Sequence, residues 1–225
     1  NPEDNSDSIM RIALFGPPGA GKGTQAKILN EHFGLDTIST GNLIRTAIRE
    51  GSDLGDRVKS FVHMGNLVPD ELVRDLANES IAKHKFDRFI LDGYPRTVTQ
   101  AHWVQEFLAA YKAPLDAVIS LSLPDSVIVD RLSKRRIHKL TCESYHLEYH
   151  PPPADVDPTM IIRRKDDAPE AVRSRIETYR EQTHPVEEFF RREGILIEVS
   201  GVGSVQDIGN RVLKQVEQFA ELAIA

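Results

Sequence analysis

The stretch FGPPGAGKGT at residues 15–24 is the strongest indication of the fold of this chain. A short apolar run, MRIALF at residues 10–15, leads into it, and a helical pattern follows from Gly23. Glycines let backbone N–H groups point at an anion, and the start of the following helix adds a positive end. Lys22 can then reach the outer phosphates as a point charge. The GxxxxGK spacing between a strand and a helix predicts a phosphate-binding loop; the alternative is a glycine-rich turn without a ligand. The candidate residues are Gly16, Gly19, Ala20, Gly21, Lys22, Gly23 and Thr24.

The residue after the lysine departs from the usual pattern. Gly23 stands where a serine or threonine is common, and Thr24 follows one position later. That hydroxyl binds Mg²⁺ in the common loop, so a metal here must rely on phosphates, waters and an acid elsewhere. Asp92 is the candidate acid, because it ends an apolar strand at the sheet edge where ligands bind in open α/β folds. The alternative is that Asp92 is a turn or cap residue before Gly93.

Composition narrows the class of protein. A chain of 225 residues can build one sizeable domain with insertions. Its 34 acidic residues exceed its 28 basic ones, which argues against a nucleic-acid binder. The apolar runs are too short to span a membrane. The single cysteine, Cys142, fits a reducing compartment, so a cytoplasmic location is predicted. Residues 1–8 are polar and acidic, and are read as a disordered lead-in rather than a targeting peptide.

Strand and helix patterns alternate along the chain. This alternation predicts an α/β fold in which helices cover both faces of a parallel sheet. Residues 137–160 break the rhythm with four prolines and no helical period, so they are predicted to form an inserted flap. The predicted strands are residues 10–15, 36–40, 88–95, 116–123 and 194–201, and the predicted helices are residues 23–33, 70–83, 97–110, 125–133 and 170–192.

Six segments, taken in their order along the chain, resemble those of a known enzyme family. They are GPPGAGKGTQA, ISTGNLIR, LDGYPRTVTQA, VDRLSKRRIH, YHLEYHPPP and RRKDDAPEAVRSRI. In this order they resemble the adenylate kinases with a long lid, from about residue 9 to the C-terminal helix. The resemblance implies a three-layer P-loop fold with a five-stranded parallel sheet, whose core comprises residues 9–38, 68–134 and 165–225. It further implies a helical AMP-binding insert at residues 39–67 and a β-rich lid at residues 135–164.

The implied reaction is MgATP + AMP ⇌ MgADP + ADP, carried out by a monomer with Mg²⁺ bound alongside ATP. Such a transfer needs positioning and charge stabilisation more than covalent chemistry by the protein. The resemblance assigns catalysis to Lys22, Asp92, Arg96, Arg131, Arg135, Arg164 and Arg175. It assigns ATP binding to the glycine loop with Arg131, Arg135 and Gly203, and AMP binding to Thr40, Arg45, Gly93, Arg96, Gln100, Arg164 and Arg175. Taken singly, each of these arginines is more often a solvated helix residue, and it is the match of all six to family positions that outweighs this alternative.

Thr40 and Gln100 are the implied readers of the acceptor base. A glutamine amide offers a donor and an acceptor together, which suits the edge of adenine. The alternatives are a helix cap for Thr40 and a solvated side chain for Gln100. The donor base stays open, so a GTP:AMP phosphotransferase is the nearer alternative. A nucleotide switch is the more distant one, and the NKxD element of such switches is absent from the sequence.

The resembling segments also depart from the family, and two of these departures bear on metal binding. Asn42 replaces the aspartate of the usual STGD, which puts more weight on Asp92 as the acid acting on Mg²⁺ through water. The lid has Cys142 alone and no CxxC pair, so no structural zinc is expected although His138, His146 and His150 are spaced with it by four. A hairpin held by polar contacts is expected instead. Its candidate partners are His138, Thr141, Asp155, Asp157 and Thr159.

Overall fold

The computed structural model describes residues 11–63, 68–141 and 143–224. The predicted lead-in at residues 1–8 and the start of the first predicted strand lie outside these ranges. The strands are β1 Arg11–Phe15, β2 Asp36–Ser39, β3 Phe89–Asp92, β4 Ala117–Ser122, β5 Arg135–His138, β6 Ser144–His146, β7 Ile161–Ile162 and β8 Leu196–Ser200. The helices are α1 Lys22–Phe33, α2 Thr40–Glu50, α3 Asp53–His63, α4 Asp70–Lys83, α5 Val98–Ala110, α6 Asp125–Lys134, α7 Pro169–Thr178, α8 His184–Arg192 and α9 Val205–Ile224.

Five strands form the predicted sheet, in the order β2-β3-β1-β4-β8. Every neighbouring pair in it is parallel. The central strand β1 is nearly all apolar because both of its faces are covered, as is typical of parallel sheets. The registers Leu14↔Asp92 and Ser39↔Asp92 bring the ends of β1, β2 and β3 to one edge. Residues that follow these strands therefore meet there.

Two cores flank the sheet because strand side chains alternate between its faces. Ile12 and Leu14 of β1 pack with α1 and α9, in a cluster that includes Leu29 and Val212. Ala13 and Phe15 enter the opposite cluster, which α4, α5 and α8 cover. The molecule is therefore the three-layer α/β fold that the sequence predicts.

Helices α2 and α3 form an insert between β2 and β3. They bury a small cluster against α4, with Ala47 from α2, Val58 from α3, and Leu72 and Leu76 from α4. Gly55 makes the crossing close, because a Cβ atom at this position would lie 1.9 Å from the carbonyl oxygen of Ala47. Residues 64–67, the end of the predicted AMP-binding segment, lie outside the described ranges.

A second, antiparallel sheet occupies the predicted flap, with strand order β6-β5-β7. β5 pairs with β6 through Arg136↔Tyr145 and with β7 through Ile137↔Ile162. The prolines at 151–153 fall between β6 and β7, where no ladder hydrogen bond is needed. The insert is thus a small β-sheet between α6 and α7, in agreement with the predicted hairpin.

The stretch predicted as one helix at residues 170–192 is interrupted. A π-helical turn, Tyr179–Thr183, separates α7 from α8. Pro185 lies in the first turn of α8 and has no N–H, and a proline ring clashes with the carbonyl four residues earlier. The chain makes room with a wider turn, in which the N–H of His184 bonds to the carbonyl of Tyr179. Among the described helices, none is both long enough and apolar enough to cross a membrane.

Candidate active site

The glycine loop lies at the carboxyl end of β1 and leads directly into α1. Gly16, Gly19 and Gly21 all have positive φ angles, of 144°, 79° and 90°. A Cβ atom at Gly19 would come within 2.9 Å of Leu132, whereas one at Gly21 or Gly23 would meet nothing within 4 Å. The first part of the loop is therefore packed against the protein, and its last part borders open space beside the helix start. That arrangement is suited to an anion.

Lys22 is the first residue of α1, and its side chain folds back over the loop. Its Nζ donates to the carbonyl oxygens of Gly16 at 2.8 Å and Pro17 at 3.2 Å. Removal of the half-buried ammonium from bulk water lowers the pKa of Lys22 to about 8. The carboxylate of Asp92 opposes this shift in pKa, and the guanidinium groups of Arg96, Arg175 and Arg135 add to it. Lys22 thus stands among most of the predicted catalytic residues.

Arg96, Arg135 and Arg175 converge near Lys22, and Arg164 lies beside Arg96 and Arg175. Arg96 follows β3, Arg135 begins β5, Arg164 follows β7 and Arg175 lies on α7. Desolvation lowers the pKa of the Arg175 guanidinium, and the charges of Arg135 and Arg164 lower it further. The pKa of Arg96 falls for the same reasons, with Arg164 and Arg45 as its cationic neighbours. Cations crowded together in this way favour a polyanionic ligand.

Two aspartates that the sequence analysis did not single out hold this cluster in place. The Asp167 side chain is fully buried and accepts from Arg135 Nε at 2.9 Å. Asp166 accepts from Arg164 Nε at 2.8 Å and pairs with Arg175 at 3.1 Å. Both acids stand in the quoted segment RRKDDAPEAVRSRI, where two adjacent acids among four arginines were an available signal.

Arg131 does not join the cluster. It donates to the carbonyl oxygens of Gly201 at 2.8 Å and Gly203 at 3.3 Å. Arg131 and Gly203 line a cavity of about 450 Å³ with Tyr149 and Val202. The structure therefore groups Arg131 with Gly203 and separates it from the arginines around Lys22, and its role in ATP binding stays a prediction.

The predicted acceptor residues meet at the ends of β2 and β3. Thr40 is 2% exposed, and its hydroxyl donates to the carbonyl of Gly93 at 3.0 Å. The Nε of Arg96 donates to the same carbonyl at 2.8 Å. Thr40 is therefore not a helix cap, because its side chain ties α2 to the strand end. Arg45 on α2 donates to the amide oxygen of Asn42, the residue that replaces the usual aspartate.

Gln100 is 2% exposed, so the alternative of a solvated side chain does not hold. Its Oε1 accepts from the backbone N–H of Arg96 at 2.7 Å, and its Nε2 donates to Asp70 Oδ1 at 2.9 Å. Asp70 Oδ2 accepts from the hydroxyl of Thr97, which caps α5. Both ends of the Gln100 amide are therefore held by neighbouring groups. Asp70 was missed because an acid at the start of a helix is common and has no distinguishing local signal.

Comparison with known proteins decides the family. The family model described as Adenylate kinase matches residues 14–195. An adenylate kinase of Salinibacter ruber is 49% identical over 203 residues, which cover 90% of this chain and 96% of the relative. An adenylate kinase of Chloroherpeton thalassium is 43% identical over 209 residues, with the same coverage of 90% and 96%. One from Clostridium botulinum is 39% identical over 204 residues, covering 88% of this chain and 94% of the relative.

The chain belongs to the adenylate kinase family. It is accordingly a nucleoside monophosphate kinase, a phosphotransferase that binds nucleotides. The nucleotide-switch alternative is not favoured, since both the family match and the named relatives are kinases.

A buried acid, Glu187, lies behind the glycine loop. The Glu187 side chain accepts from Ser120 Oγ at 2.9 Å and from the hydroxyl of Tyr179, and it pairs with His184 at 3.1 Å. The Tyr179 oxygen also accepts from the backbone N–H of Gly16. Burial and the Glu187 carboxylate strongly raise the pKa of the Tyr179 phenol. The first residue of the loop is thus tied to the π-helical turn, a contact that the sequence did not predict.

The lid sheet uses its histidines to close turns. His138 Nδ1 accepts from the backbone N–H of Thr141 at 3.1 Å, and His146 Nδ1 accepts from that of Tyr149 at 3.2 Å. Asp157 accepts from both the N–H and the hydroxyl of Thr159. Among the described residues, no three His, Cys, Asp or Glu side chains form a group that could hold a metal ion. Cys142 lies outside those residues, so the expectation that the lid holds no zinc stays a prediction.

The tip of the lid touches both other parts of the molecule. Glu143 pairs with Lys27 of α1 at 3.1 Å. The Arg49 side chain of α2 donates to the carbonyl of Leu140 at 3.3 Å. The lid is therefore placed over the glycine loop's helix and beside the α2–α3 insert.

Proposed function

We propose that the chain catalyses the reversible Mg²⁺-dependent transfer of a phosphoryl group from ATP to AMP, giving two ADP, and so serves adenine nucleotide homeostasis. The observation that carries this proposal is the convergence of Lys22, Arg96, Arg135 and Arg175 around one sheet edge. The site needs no general base, because a monophosphate is already a nucleophile at neutral pH. What the transfer needs is charge opposite the equatorial oxygens and exclusion of water.

The donor side is assigned to the glycine loop and the lid. The backbone N–H groups at Gly19, Gly21 and Gly23 hold the outer phosphates of ATP, with Ala20 and Thr24 completing the loop. Lys22 leaves its two loop carbonyls to follow the transferring group. Arg131 and Gly203 border the cavity that takes the adenosine end, a proposal supported by their shared hydrogen bond.

The acceptor side is assigned to residues at the ends of β2 and β3. Arg45 and Arg96 hold the phosphate of AMP, while Arg135, Arg164 and Arg175 neutralise the group in transit. Bidentate guanidinium groups suit phosphate geometry, and lysine does not reproduce it. Thr40, Gly93 and Gln100 contact the adenine. This division is supported by the bonds that already join Thr40 and Arg96 to the carbonyl of Gly93.

Asp92 is the residue that would hold Mg²⁺. The ion prefers oxygen ligands, keeps several waters and is typically bound through one or two carboxylates and substrate phosphates. Asp92 fits this chemistry, because it is a half-buried carboxylate at the strand end, close enough to Lys22 to raise the pKa of that lysine. When bound, the ion would neutralise charge on the nucleotide phosphates. Asn42 can orient a water but adds no charge.

Two hinged covers complete the proposal. Residues 39–67 and 135–164 close over a core made of residues 9–38, 68–134 and 165–225, because water must be excluded and products released. The contact of the lid tip with α1 and α2 supports this. We infer a cytoplasmic monomer; the single cysteine fits a reducing compartment.

The experiment that tests this function is a coupled assay of ADP formation from ATP and AMP, with and without Mg²⁺. We expect turnover only when both nucleotides and the metal are present. The same assay with GTP replacing ATP tests the donor. Equal or better turnover with GTP would make the chain a GTP:AMP phosphotransferase, and ADP formation without AMP would make it a nucleotide hydrolase.

A further inference from the structure

We propose that Asp70 fixes the orientation of the Gln100 amide, and that the acceptor site thereby selects 6-aminopurine over 6-oxopurine monophosphates. Asp70 is a positioning residue in this proposal and does not touch the substrate. The proposal rests on the proposed function of Gln100 as a reader of the acceptor base.

The Gln100 amide is held from both ends. Its oxygen accepts from the Arg96 backbone N–H at 2.7 Å, and its nitrogen donates to Asp70 Oδ1 at 2.9 Å. A carboxylate only accepts hydrogen bonds, and a backbone N–H only donates. Rotating the amide by 180° would place its oxygen against the carboxylate and its NH₂ against the N–H of Arg96. Both contacts would become repulsive, so one orientation is selected.

Asp70 is itself anchored for this task. Its second oxygen accepts from the hydroxyl of Thr97 at 3.0 Å, and that hydroxyl accepts in turn from the backbone N–H of Gln100 at 3.2 Å. Asp70 is also the first residue of α4, where the positive end of the helix stabilises a carboxylate. The start of α4, the cap of α5 and the Gln100 side chain thus form one connected unit.

The fixed amide presents a defined pattern to a base. An amide has two N–H donors and two oxygen lone pairs, and the contacts found among the described residues use one of each. One N–H and one lone pair therefore remain for a ligand. Adenine offers a 6-amino donor beside a ring-nitrogen acceptor, which matches an amide contact. Hypoxanthine and guanine carry an oxygen at position 6 beside a ring N–H, and this reversed pattern is matched only after the amide rotates.

The consequence is that selectivity depends on how costly the rotation is. With Asp70 present, a 6-oxopurine must either force the amide against the carboxylate or leave buried polar groups unpaired. A site built around hydrogen bonds rejects a mismatched analogue strongly for this reason.

The test compares AMP with IMP as acceptor in Asp70→Asn. An asparagine can turn its own NH₂ toward the oxygen of the rotated amide, so that only the contact with the Arg96 N–H still opposes rotation. We expect the ratio of kcat/KM for AMP to that for IMP to fall by about 10-fold or more, while the KM for ATP stays unchanged. Glu71→Gln is the matched control: it removes the same charge from an exposed neighbour in the same helical turn. It is expected to leave the ratio unchanged.

Two further variants keep the proposal falsifiable if Asp70→Asn folds poorly. Asp70→Ser offers a hydroxyl that can face either end of the amide and is expected to lower the ratio. Asp70→Glu keeps an acceptor-only carboxylate and is expected to retain it. An unchanged ratio in folded Asp70→Asn or Asp70→Ser would overturn the proposal.

Gln100→Ala separates this proposal from the function on which it rests. If Gln100 reads the base, Gln100→Ala weakens AMP, and adding Asp70→Asn to it changes the AMP-to-IMP ratio no further. If Gln100→Ala leaves the KM for AMP unchanged, the assignment of Gln100 fails. If Gln100→Ala weakens AMP while Asp70→Asn keeps the ratio, the role of Asp70 alone fails. A ratio that falls equally in the double variant would show that Asp70 acts without Gln100.

Discussion

The glycine loop and the acceptor-base region solve the same problem, holding a nucleotide, by different means. The loop uses backbone from consecutive residues, with three positive-φ glycines and one lysine folded over their carbonyls. The acceptor region uses side chains that come together from α2, α4, α5 and the end of β3, joined by hydrogen bonds of Thr40, Asp70 and Gln100. A backbone cradle is local in the chain, whereas a side-chain network exists only once the fold has formed.

The difference determines what a single substitution can do. A change in the loop alters charge directly at the phosphates, so its effect is expected on turnover. A change in the side-chain network alters which base fits, so its effect is expected on the KM for one substrate. Four experiments test this contrast, beginning with the largest expected effect.

Lys22→Met tests the loop. The substitution keeps the apolar stem and removes the charge that would face the transferring phosphate. We expect kcat to fall on the order of 10²-fold or more, as for the loss of an electrostatic stabiliser. Lys83→Met, which removes an exposed ammonium paired only with Glu79 among the described contacts, serves as the control and should be near normal. Near-normal turnover of a folded Lys22→Met protein would mean that the loop does not take part in phosphoryl transfer.

Gln100→Ala tests the acceptor region. The loss of one buried, oriented amide contact is worth roughly 1–3 kcal/mol, so the KM for AMP should rise about 5- to 150-fold. The KM for ATP should stay nearly unchanged, and kcat should fall less because Arg45 and Arg96 still hold the phosphate. Steady-state kinetics with each nucleotide varied separately measures this, with Gln105→Ala on the same helix as control. A rise in the KM for ATP alone would reverse the two pockets.

The dependence of activity on pH also distinguishes the two regions, because the pKa of Lys22 in the loop is shifted toward neutral pH. The pKa of Lys22 is lowered from 10.5 to about 8, so its charge is present below about pH 8 and is lost above it. Phosphate favours the charged form, and ATP bound above pH 8 should therefore take up a proton. We expect kcat/KM for ATP to fall by up to tenfold per pH unit above that pH.

Calorimetry of ATP binding at pH 8.5 in two buffers of different ionisation enthalpy measures this proton directly. Lys22→Arg, which stays charged, should show no uptake. A wild-type rate that stays level to pH 10 would contradict the lowered pKa. The lowered pKa of Lys22 also affects folding, because the unfolded chain binds the lysine proton more tightly than the folded protein does. Burying the charged lysine therefore lowers the free energy of unfolding at neutral pH, and this loss of stability fades as the pH rises from about 8 to 10.5.

The smallest effect is expected at the lid tip, where the two regions share a cover. Lys27 and Glu143 are 61% and 40% exposed, and exposed pairs contribute about 0.2–1 kcal/mol. Glu143→Gln should therefore raise the KM for ATP by about 5-fold at most, and less in high salt. Hydrogen bonding to Lys27 lowers the pKa of Glu143, so the pair is lost only when acid protonates that carboxylate. A double-mutant cycle with Lys27→Gln isolates the pair, and a large, salt-independent effect would contradict it.

Much of the fold could be predicted because its signals are local. All five strands of the parallel sheet were predicted with small errors at their ends, and the predicted helix at residues 70–83 matches α4. The π-helical interruption at Tyr179–Thr183 was not predicted, because the amphipathic pattern continues through it and only Pro185 indicates a break. Periodicity reports which faces are apolar, and a π-helical turn changes the register without changing composition.

The residues of the candidate site fall into the same two groups, those that a local sequence pattern predicts and those that only the folded structure brings together. The loop residues and Asp92 follow from a motif and a strand end. The contacts of Asp70, Asp167 and Glu187 join residues that lie 30, 32 and 67 positions away in the chain. Those distances close only when helices pack on the sheet, so no local pattern contains them. An acid in such a place looks like any surface acid until its partner is known.

The close crossing of α2 and α3 limits which substitutions this enzyme can tolerate. Gly55 sits where a Cβ atom would lie 1.9 Å from one backbone atom and 2.3 Å from another, both in Ala47. Neither can swing aside as a side chain could, so any larger residue acts as a wedge that tilts α2 and everything it carries. Directed evolution could substitute residues on the outer faces of both helices freely, whereas position 55 must remain glycine. Gly55 thus sets the distance between α2 and α3, the two helices of the predicted AMP-binding segment.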